Sequence, residues 1–239
     1  MPRAHRECVL TEPEPLRVAV LLSGAGSNFA ALLAAQSRKQ LPVQFTGVYS
    51  DRADAHGLAL ARMAGLRARV IERAAFASKA IFEDALWSEA LVGDPELIVL
   101  AGFMRVLSKA SVERLAGRML NLHPSLLPEF PGLDTHARVL AAGHTEHGAS
   151  VHFVTEQLDG GPLLAQVRVP VLADDTAQAL AARLKPLEHA LLVAAVALIA
   201  TRKVHIQRAR ISLDGIALVR PLVLDHAQKL INLPAAGRN

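Results

Sequence analysis

Short apolar runs alternate with longer stretches of helical periodicity from Arg17 onward. Runs of β-branched and apolar residues are typical of buried strands, and the stretches between them are long enough for crossover helices. This alternation predicts a parallel sheet with helices on its faces. The predicted strands are Val18 to Leu22, Phe45 to Ser50, Ala68 to Ile71, Leu97 to Leu100 and Met119 to Leu122, and the predicted helices are Asn28 to Ser37, Gly57 to Ala64, Ser78 to Val92 and Lys109 to Ala116.

The pattern changes after Leu122, where a proline-rich loop at 124–131 replaces the regular alternation. The short turn Leu158 to Pro162 separates two apolar runs, so we expect those runs to be strands that pair antiparallel at one edge of the sheet. Pro186 interrupts a long helical stretch and should kink it, because proline lacks a backbone donor. The predicted elements here are a helix at Thr135 to Ala142, strands at Ser150 to Val154 and Ala165 to Val169, and a helix at about Thr176 to Thr201.

The whole pattern is typical of a doubly wound α/β fold with a mostly parallel sheet. Residues 1–16 are polar and contain several prolines, so we expect a mobile tail there. Residues 17–204 are expected to form a single domain. Residues 205–239 are expected to form a hairpin across Asp214-Gly215 and then a tail, packed on that domain or trailing from it.

Composition places the chain among globular intracellular proteins. Its 239 residues are 51% hydrophobic, enough for a sizeable core, and its formal charge of +4 suits a small anionic ligand as well as nucleic acid. The single cysteine, Cys8, excludes an internal disulfide framework, so a reducing cytoplasm fits best. The longest uncharged apolar run, Ala190 to Ala200, has eleven residues, whereas a membrane-spanning helix needs roughly twenty. We therefore expect neither a membrane segment nor a secretory signal.

The segment Ser23 to Asn28, SGAGSN, ends the first predicted strand and opens a helix. Glycines permit a tight turn there, and the free N–H groups of a helix N-terminus attract an anion. Phe29 stands where a dinucleotide fingerprint has its third glycine, which favours a single phosphate, although Asp51 could imitate the ribose-binding acid. The alternative is an ordinary strand-to-helix turn.

Asn121 and His123 lie two residues apart on one predicted strand and therefore point to the same face. Pro124 ends the strand directly after them, at the carboxyl end where α/β sheets bind ligands. A carboxamide and an imidazole there can donate hydrogen bonds to a developing oxyanion, and the imidazole can also move a proton. The alternative is a structural histidine in the core.

The turn LDGGP offers a carboxylate, Asp159, beside two glycines. Glycine lets the backbone carry Asp159 inward, where the carboxylate could hold the tautomer and the charge of His123. Alternatively, Asp159 bonds only to the backbone of its own turn.

Three further histidines, His144, His147 and His152, raise the question of a metal site. The HTEH segment precedes a strand instead of lying on one helix face, and no acidic ligand completes the set, so no metal is expected. The sequence also has no G-x-S-x-G elbow and no Walker lysine, which argues against a serine hydrolase and against ATP binding.

Together these motifs resemble the phosphoribosylglycinamide formyltransferase family of folate-dependent enzymes. The similar segments follow the family's order from Arg17 to about Ala190 and leave only the two ends uncovered. They are VLLSGAGSN (20–28), VLAGFMRVLS (99–108), LNLHPSLLPEFPG (120–132), HGASVHFVTEQLDGGP (147–162) and EHA (188–190).

The resemblance implies a Rossmann-like formyltransferase fold and transfer of a formyl group from 10-formyltetrahydrofolate, the co-substrate, to the amine of glycinamide ribonucleotide in purine biosynthesis. It implies Asn121, His123 and Asp159 as catalytic residues, with no metal, nucleic-acid or membrane partner, and it leaves a homodimer open. It also implies two binding sets: Gly26, Ser27, Asn28, Lys185 and Glu188 for the acceptor and its phosphate, and Lys79, Met104, Arg105, Val106, Leu107, Asn121, Thr155, Glu156, Gln157, Leu158 and Asp159 for the folate.

Other functions fit the same residues less well. A 10-formyltetrahydrofolate deformylase would keep the three catalytic residues but usually carries a regulatory domain before them, for which sixteen residues are too few. A tRNA-directed formyltransferase would need a basic C-terminal barrel, which the residues after Val204 are too few to form. A non-catalytic nucleotide-binding module could keep the fold without turnover, although the intact catalytic residues argue against it.

Overall fold

The structure is a computed structural model that describes residues 14–207 and 210–232. The expected N-terminal tail falls almost wholly on residues 1–13, which include Cys8 and lie outside the described residues. The strands are β1 (Leu16–Leu22), β2 (Val43–Ser50), β3 (Ala68–Val70), β4 (Leu97–Leu100), β5 (Met119–His123), β6 (Glu146–Phe153), β7 (Leu163–Pro170), β8 (Val204–Gln207), β9 (Arg210–Leu213), β10 (Ile216–Ala217), β11 (Leu222–Leu224) and β12 (Leu230–Ile231). The helices are α1 (Ser27–Ser37), α2 (His56–Met63), α3 (Lys79–Ala90), α4 (Lys109–Arg114), α5 (Thr135–Ala141) and α6 (Ala177–Thr201), with a 3₁₀ turn at Arg73–Ala75.

Nine strands form one mixed sheet in the order β12-β11-β7-β6-β5-β4-β1-β2-β3. Strands β1 to β5 pair in parallel, β6 pairs antiparallel with β5 and β7, and β11 pairs in parallel with β7. These pairings confirm the mostly parallel α/β fold and the antiparallel pairing of β6 with β7. That pair lies inside the sheet instead of at the expected edge, because β11 and β12 extend the sheet beyond β7.

The residues of β1 show why both faces of the sheet carry helices. Val18, Val20 and Leu22 pack with α1, α2 and α6 in one hydrophobic cluster. Ala19 and Leu21 pack with α3 and α4 in a second cluster on the other face. Because successive strand residues point to opposite faces, a continuous apolar run such as β1 is buried on both sides.

Strand β6 begins four residues before its predicted start at Ser150. Its early part contains Gly148, which looks like a loop residue in the sequence. Gly148 pairs with Arg168, and a Cβ atom there would lie 2.0 Å from the carbonyl oxygen of Val167, so only glycine fits. All other predicted strand and helix limits between Arg17 and Thr201 agree with the observed ones to within two residues.

The C-terminal residues add a small sheet and extend the large one. β8, β9 and β10 form an antiparallel three-stranded sheet, and the chain between β9 and β10 turns at Asp214-Gly215. We predicted no strand after this hairpin, but β11 and β12 return to the main sheet, where Leu222 and Leu224 are buried. Strands of two or three residues are too short to show a periodicity in the sequence.

Helix α6 continues through Pro186 as one helix of 25 residues. By length and composition it is the one described helix that could cross a membrane, and a third of its most apolar window is buried in the protein. Its buried face, which includes Leu184, Leu191 and Leu192, packs against α1, β6 and β7. This packing accounts for the apolar character of the helix.

Candidate active site

The sheet has a switch point between β1 and β4, where the chain passes from one side of β1 to the other. In open α/β sheets such a switch point forms a crevice at the carboxyl ends of the strands. Ser23 follows β1, and its N–H donates to the carbonyl of Gly102, which follows β4, at 3.0 Å. His123 ends the neighbouring strand, β5. The glycine loop and the Asn121/His123 pair therefore share one end of the sheet.

Asn121, His123 and Asp159 lie together at this end. The Nδ1 atom of His123 is 3.4 Å from Oδ2 of Asp159, and the Nδ2 atom of Asn121 is 3.5 Å from Oδ1 of the same carboxylate. The side chains of His123 and Asp159 are each 7% exposed, so water screens their interaction only weakly. The structure thus places a carboxamide and an imidazole against the same carboxylate.

The backbone of the proline-rich loop bonds to two polar groups of this trio. The Nε2 atom of His123 donates to the carbonyl oxygen of Phe130 at 3.0 Å, and the N–H of Gly132 donates to Oδ2 of Asp159 at 2.8 Å. Because a carbonyl oxygen can only accept, Nε2 of His123 carries a proton. A substrate oxygen that takes a hydrogen bond from Nε2 must therefore displace the Phe130 carbonyl.

His152 is a further member of the site, to which the sequence assigned no role. It lies opposite Asn121 in the pairing of β5 with β6, and its Nε2 atom is 3.1 Å from Nδ2 of Asn121 and 3.6 Å from Oδ1 of Asp159. Its Nδ1 atom donates to the carbonyl of Phe153 at 3.1 Å. With Nδ1 as the donor, the neutral ring accepts from Asn121 through Nε2. The β5–β6 register is the signal that could have revealed it.

Asp159 itself takes the left-handed conformation, with a φ of 51°. We expected the two glycines of the turn to supply this conformational freedom. Instead, the turn needs Gly161 for space, because a Cβ atom there would lie 1.8 Å from the carbonyl oxygen of Phe153. Aspartate tolerates the left-handed region better than most residues, at a cost of about 1 kcal/mol or more. The surrounding contacts must hold Asp159 in place against that cost.

Burial by itself raises the pKa of the Asp159 carboxyl group. Contact with His152, the hydrogen bond from the Gly132 N–H and the charge of His123 outweigh burial and hold this pKa below its ordinary value. Asp159 is therefore ionised at neutral pH and can stabilise a positive charge on the imidazole of His123.

The glycine loop needs glycine for conformation and for space. Gly26 caps α1 with a φ of 75°, and a Cβ atom there would lie 2.5 Å from the Cα atom of Gly57. Asn28 is 8% exposed, and its Oδ1 atom has no hydrogen-bond partner among the described residues. The free N–H groups at Ser27 and this carboxamide suit a polar or anionic ligand.

Lys185 and Glu188 contact each other on α6, with 2.8 Å between Nζ and Oε2. The Glu188 side chain is 6% exposed and that of Lys185 is 43% exposed, so a buried carboxylate holds a cation that reaches solvent. Helix α6 packs against α1. Within the described residues no hydrogen bond or ion pair joins these two side chains to Gly26, Ser27 or Asn28. Their shared role with the glycine loop stays a prediction.

Asp51 does not act as a ribose-binding acid. Its side chain is 2% exposed, its Oδ1 atom accepts from the hydroxyl of Ser23 at 2.6 Å, and its Oδ2 atom accepts from Nε of Arg105 at 2.5 Å. The hypothesis that Asp51 imitates this acid is therefore wrong, because both carboxylate oxygens are already bonded within the protein.

The residues predicted to bind folate lie mainly in two segments, 104–107 after β4 and 155–159 between β6 and β7. Met104 and Val106 in the first segment are 68% and 61% exposed, and Leu158 in the second is 53% exposed. Exposed apolar side chains beside buried polar groups suit a ligand with an apolar body and a few polar groups. The remaining members have protein contacts or are half-buried: Arg105 bonds to Asp51, Lys79 lies 3.7 Å from Glu83, Glu156 lies 2.9 Å from Lys109, Thr155 bonds to the carbonyl of Gln157, and Leu107 is half-buried.

The three histidines considered for a metal site have three different partners. His144 lies near Glu129, His147 contacts His136, and His152 contacts Asn121. Across residues 14–207 and 210–232, no group of three or more His, Cys, Asp or Glu side chains is arranged to hold a metal ion.

Comparison with known proteins agrees with this geometry. A family model described as formyl transferase matches residues 16–196, and the chain belongs to that family. The phosphoribosylglycinamide formyltransferase of Escherichia coli (strain K12) is 42% identical over 200 residues, which cover 84% of this chain and 94% of that protein. The resemblance found in the sequence is thereby confirmed.

Solved structures give the same result. The phosphoribosylglycinamide formyltransferase from Coxiella burnetii is 44% identical with a TM-score of 0.83, covering 86% of this chain and 97% of that chain. A formyltetrahydrofolate deformylase from Burkholderia mallei ATCC 23344 is 30% identical with a TM-score of 0.75, covering 83% of this chain and 70% of that chain. The fold is therefore shared with a hydrolase, and the chemistry of the site must separate the two activities.

Proposed function

We propose that this protein transfers the formyl group of 10-formyltetrahydrofolate to the primary amine of 5-phosphoribosylglycinamide, a step of de novo purine biosynthesis. The observation that carries the proposal is the contact of Asn121 and His123 with Asp159, at the same end of the sheet as the glycine loop. The names of the similar proteins from Escherichia coli and Coxiella burnetii support the choice of acceptor.

The reaction needs an oxyanion to be stabilised. When the acceptor amine attacks the formyl carbon, negative charge develops on the formyl oxygen. One N–H of the Asn121 carboxamide is directed to His152, and the second, which reaches Oδ1 of Asp159 only at 3.5 Å, is the one that must turn to that oxygen. Nε2 of His123 carries the other donor and becomes available once the Phe130 carbonyl is displaced. Such donors usually make the largest contribution in acyl transfer.

The attacking amine must also lose a proton. Asp159 faces Nδ1 of His123 and is ionised, so it favours the charged imidazole that donates to the oxyanion. The carboxylate is also the base best placed to relay the amine proton through water to N10 of the tetrahydrofolate, which leaves as its bond to the formyl carbon breaks. Asn121 and His123 therefore share one task, donation to the oxyanion, and Asp159 supports the charge of His123 and the transfer of the proton.

The two substrates bind to different sets of residues at this end of the sheet. Gly26, Ser27 and Asn28 bind the acceptor phosphate through helix N–H groups, and Lys185, held by Glu188, adds a positive charge. The donor lies against the exposed apolar side chains of Met104, Val106 and Leu158, where the backbone of 104–107 and 155–159 binds the pterin and Lys79 binds a folate carboxylate. We further propose that the enzyme works on these small molecules in the cytoplasm without a metal ion.

A two-substrate assay tests the proposal. Loss of 10-formyltetrahydrofolate is followed with and without glycinamide ribonucleotide, and the formylated acceptor is measured in the same samples. We expect donor loss only when the acceptor is present, with one product formed for each donor consumed.

The same assay separates the alternatives. Equal donor loss without acceptor would establish a deformylase, which transfers the formyl group to water. Donor loss in neither condition would favour a non-catalytic module. The Asp159→Asn variant serves as the control for turnover at this site, because it removes one charge and leaves the shape of the turn.

A further inference from the structure

The segment 104–107 is tied at its start to a buried carboxylate. The N–H of Met104 donates to the hydroxyl oxygen of Ser23 at 2.9 Å, and that hydroxyl donates to Asp51. Nε of Arg105 donates to the other oxygen of Asp51. Asp51 follows β2, whereas Ser23 follows β1, so one carboxylate joins the ends of two strands to the start of the segment.

A second buried carboxylate holds the end of the segment. Glu83, on α3, is 3% exposed, and its Oε1 atom accepts from the N–H of Ser108 at 2.9 Å. The hydroxyls of Ser108 and Ser111 both donate to its Oε2 atom. The indole N–H of Trp87 donates to the Ser111 hydroxyl at 2.7 Å, and Nζ of Lys79 lies 3.7 Å from Oε1 of Glu83.

Between these two anchors the segment has no helix or strand, and it presents Met104 and Val106 to solvent. An irregular segment with exposed apolar side chains gains little from its own packing, so its shape depends on the bonds at its two ends. A ligand that binds its backbone loses affinity if the segment must be ordered at the moment of binding.

We infer that Asp51 and Glu83 are positioning residues that hold segment 104–107 in the shape that receives the folate donor. The inference rests on the proposed function, which places the donor on this segment. Neither carboxylate touches the trio in the structure, so the two residues act on donor binding and leave the chemical step to Asn121, His123 and Asp159.

The test compares Asp51→Ala and Glu83→Ala with the wild type in steady-state kinetics. We expect the KM for the donor to rise about tenfold in each variant, because the segment must be ordered on binding, with kcat and the acceptor KM within about twofold of wild type. Asp54→Ala and Asp84→Ala are matched controls, since both aspartates are exposed neighbours of the buried carboxylates. Wild-type values are expected for both.

Conservative variants separate positioning from general loss of structure. In Glu83→Gln the amide oxygen still accepts from Ser108, so we expect a smaller rise in the donor KM than in Glu83→Ala. Trp87 is the only tryptophan of the chain, and its emission reports whether the network around Ser111 is intact. An unchanged donor KM in folded alanine variants, or an equal rise of both KM values, would overturn the inference.

Binding of tetrahydrofolate, measured by calorimetry, provides a readout without turnover. We expect it to weaken about tenfold in Asp51→Ala and Glu83→Ala. If the wild type binds tetrahydrofolate but formylates no acceptor, the proposed function fails while this comparison still decides the role of the two carboxylates. A wild type that does not bind tetrahydrofolate would overturn the inference.

Discussion

Asp159 divides its two oxygens among the groups of the site, with Oδ2 facing His123 and Gly132 and Oδ1 facing Asn121 and His152. Asp159→Asn keeps the shape of the side chain and removes its charge. We expect kcat to fall by about a hundredfold or more while the acceptor KM changes little, because the lost charge acts mainly on the transition state. Steady-state kinetics with both substrates varied measures this separation.

A variant that combines Asp159→Asn with His123→Ala tests whether Asn121, His123 and Asp159 act as a unit. If it does, adding His123→Ala to Asp159→Asn lowers kcat much less than the product of the two single effects. Fully multiplicative losses, or near-normal kcat in His123→Ala alone, would contradict the mechanism and leave the family assignment unaffected.

His152 gives a second prediction at the scale of one residue. His152→Phe keeps a ring in β6 but removes the acceptor that orients Asn121, so we expect kcat to fall about tenfold with both KM values nearly unchanged. His205→Phe, at an exposed position, is the control. A His152→Phe enzyme with normal kcat would show that Asn121 is oriented without it.

Lys185 is expected to act on the acceptor alone. Lys185→Ala should raise the acceptor KM about tenfold, equivalent to about 1.4 kcal/mol, and leave kcat nearly unchanged if the phosphate contact persists throughout the reaction. The donor KM is measured in parallel and should stay constant. An unchanged acceptor KM would remove Lys185 from the site.

The sequence predicted the role of a single residue where that role depends on neighbours close in the chain. Asn121 and His123 share a strand face, and that alternation is visible without a structure. His152 was missed because its role depends on the register of two antiparallel strands. Asp51 was misread because its partner Arg105 is 54 residues away, and no local pattern reports such a contact.

At the scale of elements, apolar patterning predicted the strands that are buried on both faces. β4 was predicted with both ends correct, since Leu97–Leu100 is a continuous apolar run that follows Glu96 and ends just before Ala101-Gly102. The early part of β6 was missed because close strand approach requires Gly148 there, and β11 was missed because it has only three residues. The local sequence pattern gives no signal where close packing of two strands, or the shortness of a strand, determines the structure.

The contact between α5 and β6 predicts a pH dependence of stability. Burial, followed by the charges of His136 and His123, lowers the pKa of His147 to about 4. The His147 imidazole binds its proton near pH 6.5 in the unfolded chain but only near pH 4 in the folded protein. The free energy of unfolding therefore falls as the pH drops through this window, by up to about 3 kcal/mol. Urea unfolding at several pH values measures the slope. His147→Gln should flatten it, and an equal slope in both proteins would contradict this assignment.

At the scale of the whole molecule, the site depends on a sheet that extends beyond the family match. That match covers residues 16–196 and ends within α6, so β8 to β12 lie outside it. Nevertheless β11 pairs with β7, and β7 pairs with β6, which carries His152. The C-terminal strands therefore support the strand that carries His152, the partner of Asn121, although they lie away from the trio in the sheet order.

This arrangement predicts that the C-terminal strand contributes to stability and not to substrate binding. Leu222 and Leu224 are 4% and 6% exposed, and replacing either by alanine should lower the free energy of unfolding by about 2 to 4 kcal/mol, because a buried side chain is lost and a cavity remains. Val219, which is 89% exposed, gives the control variant Val219→Ala, with an expected change below about 0.5 kcal/mol. Urea unfolding measures all three variants, and kinetics at a temperature where each is folded should give wild-type KM values. Wild-type stability in both leucine variants would show that β11 adds nothing to the sheet it extends.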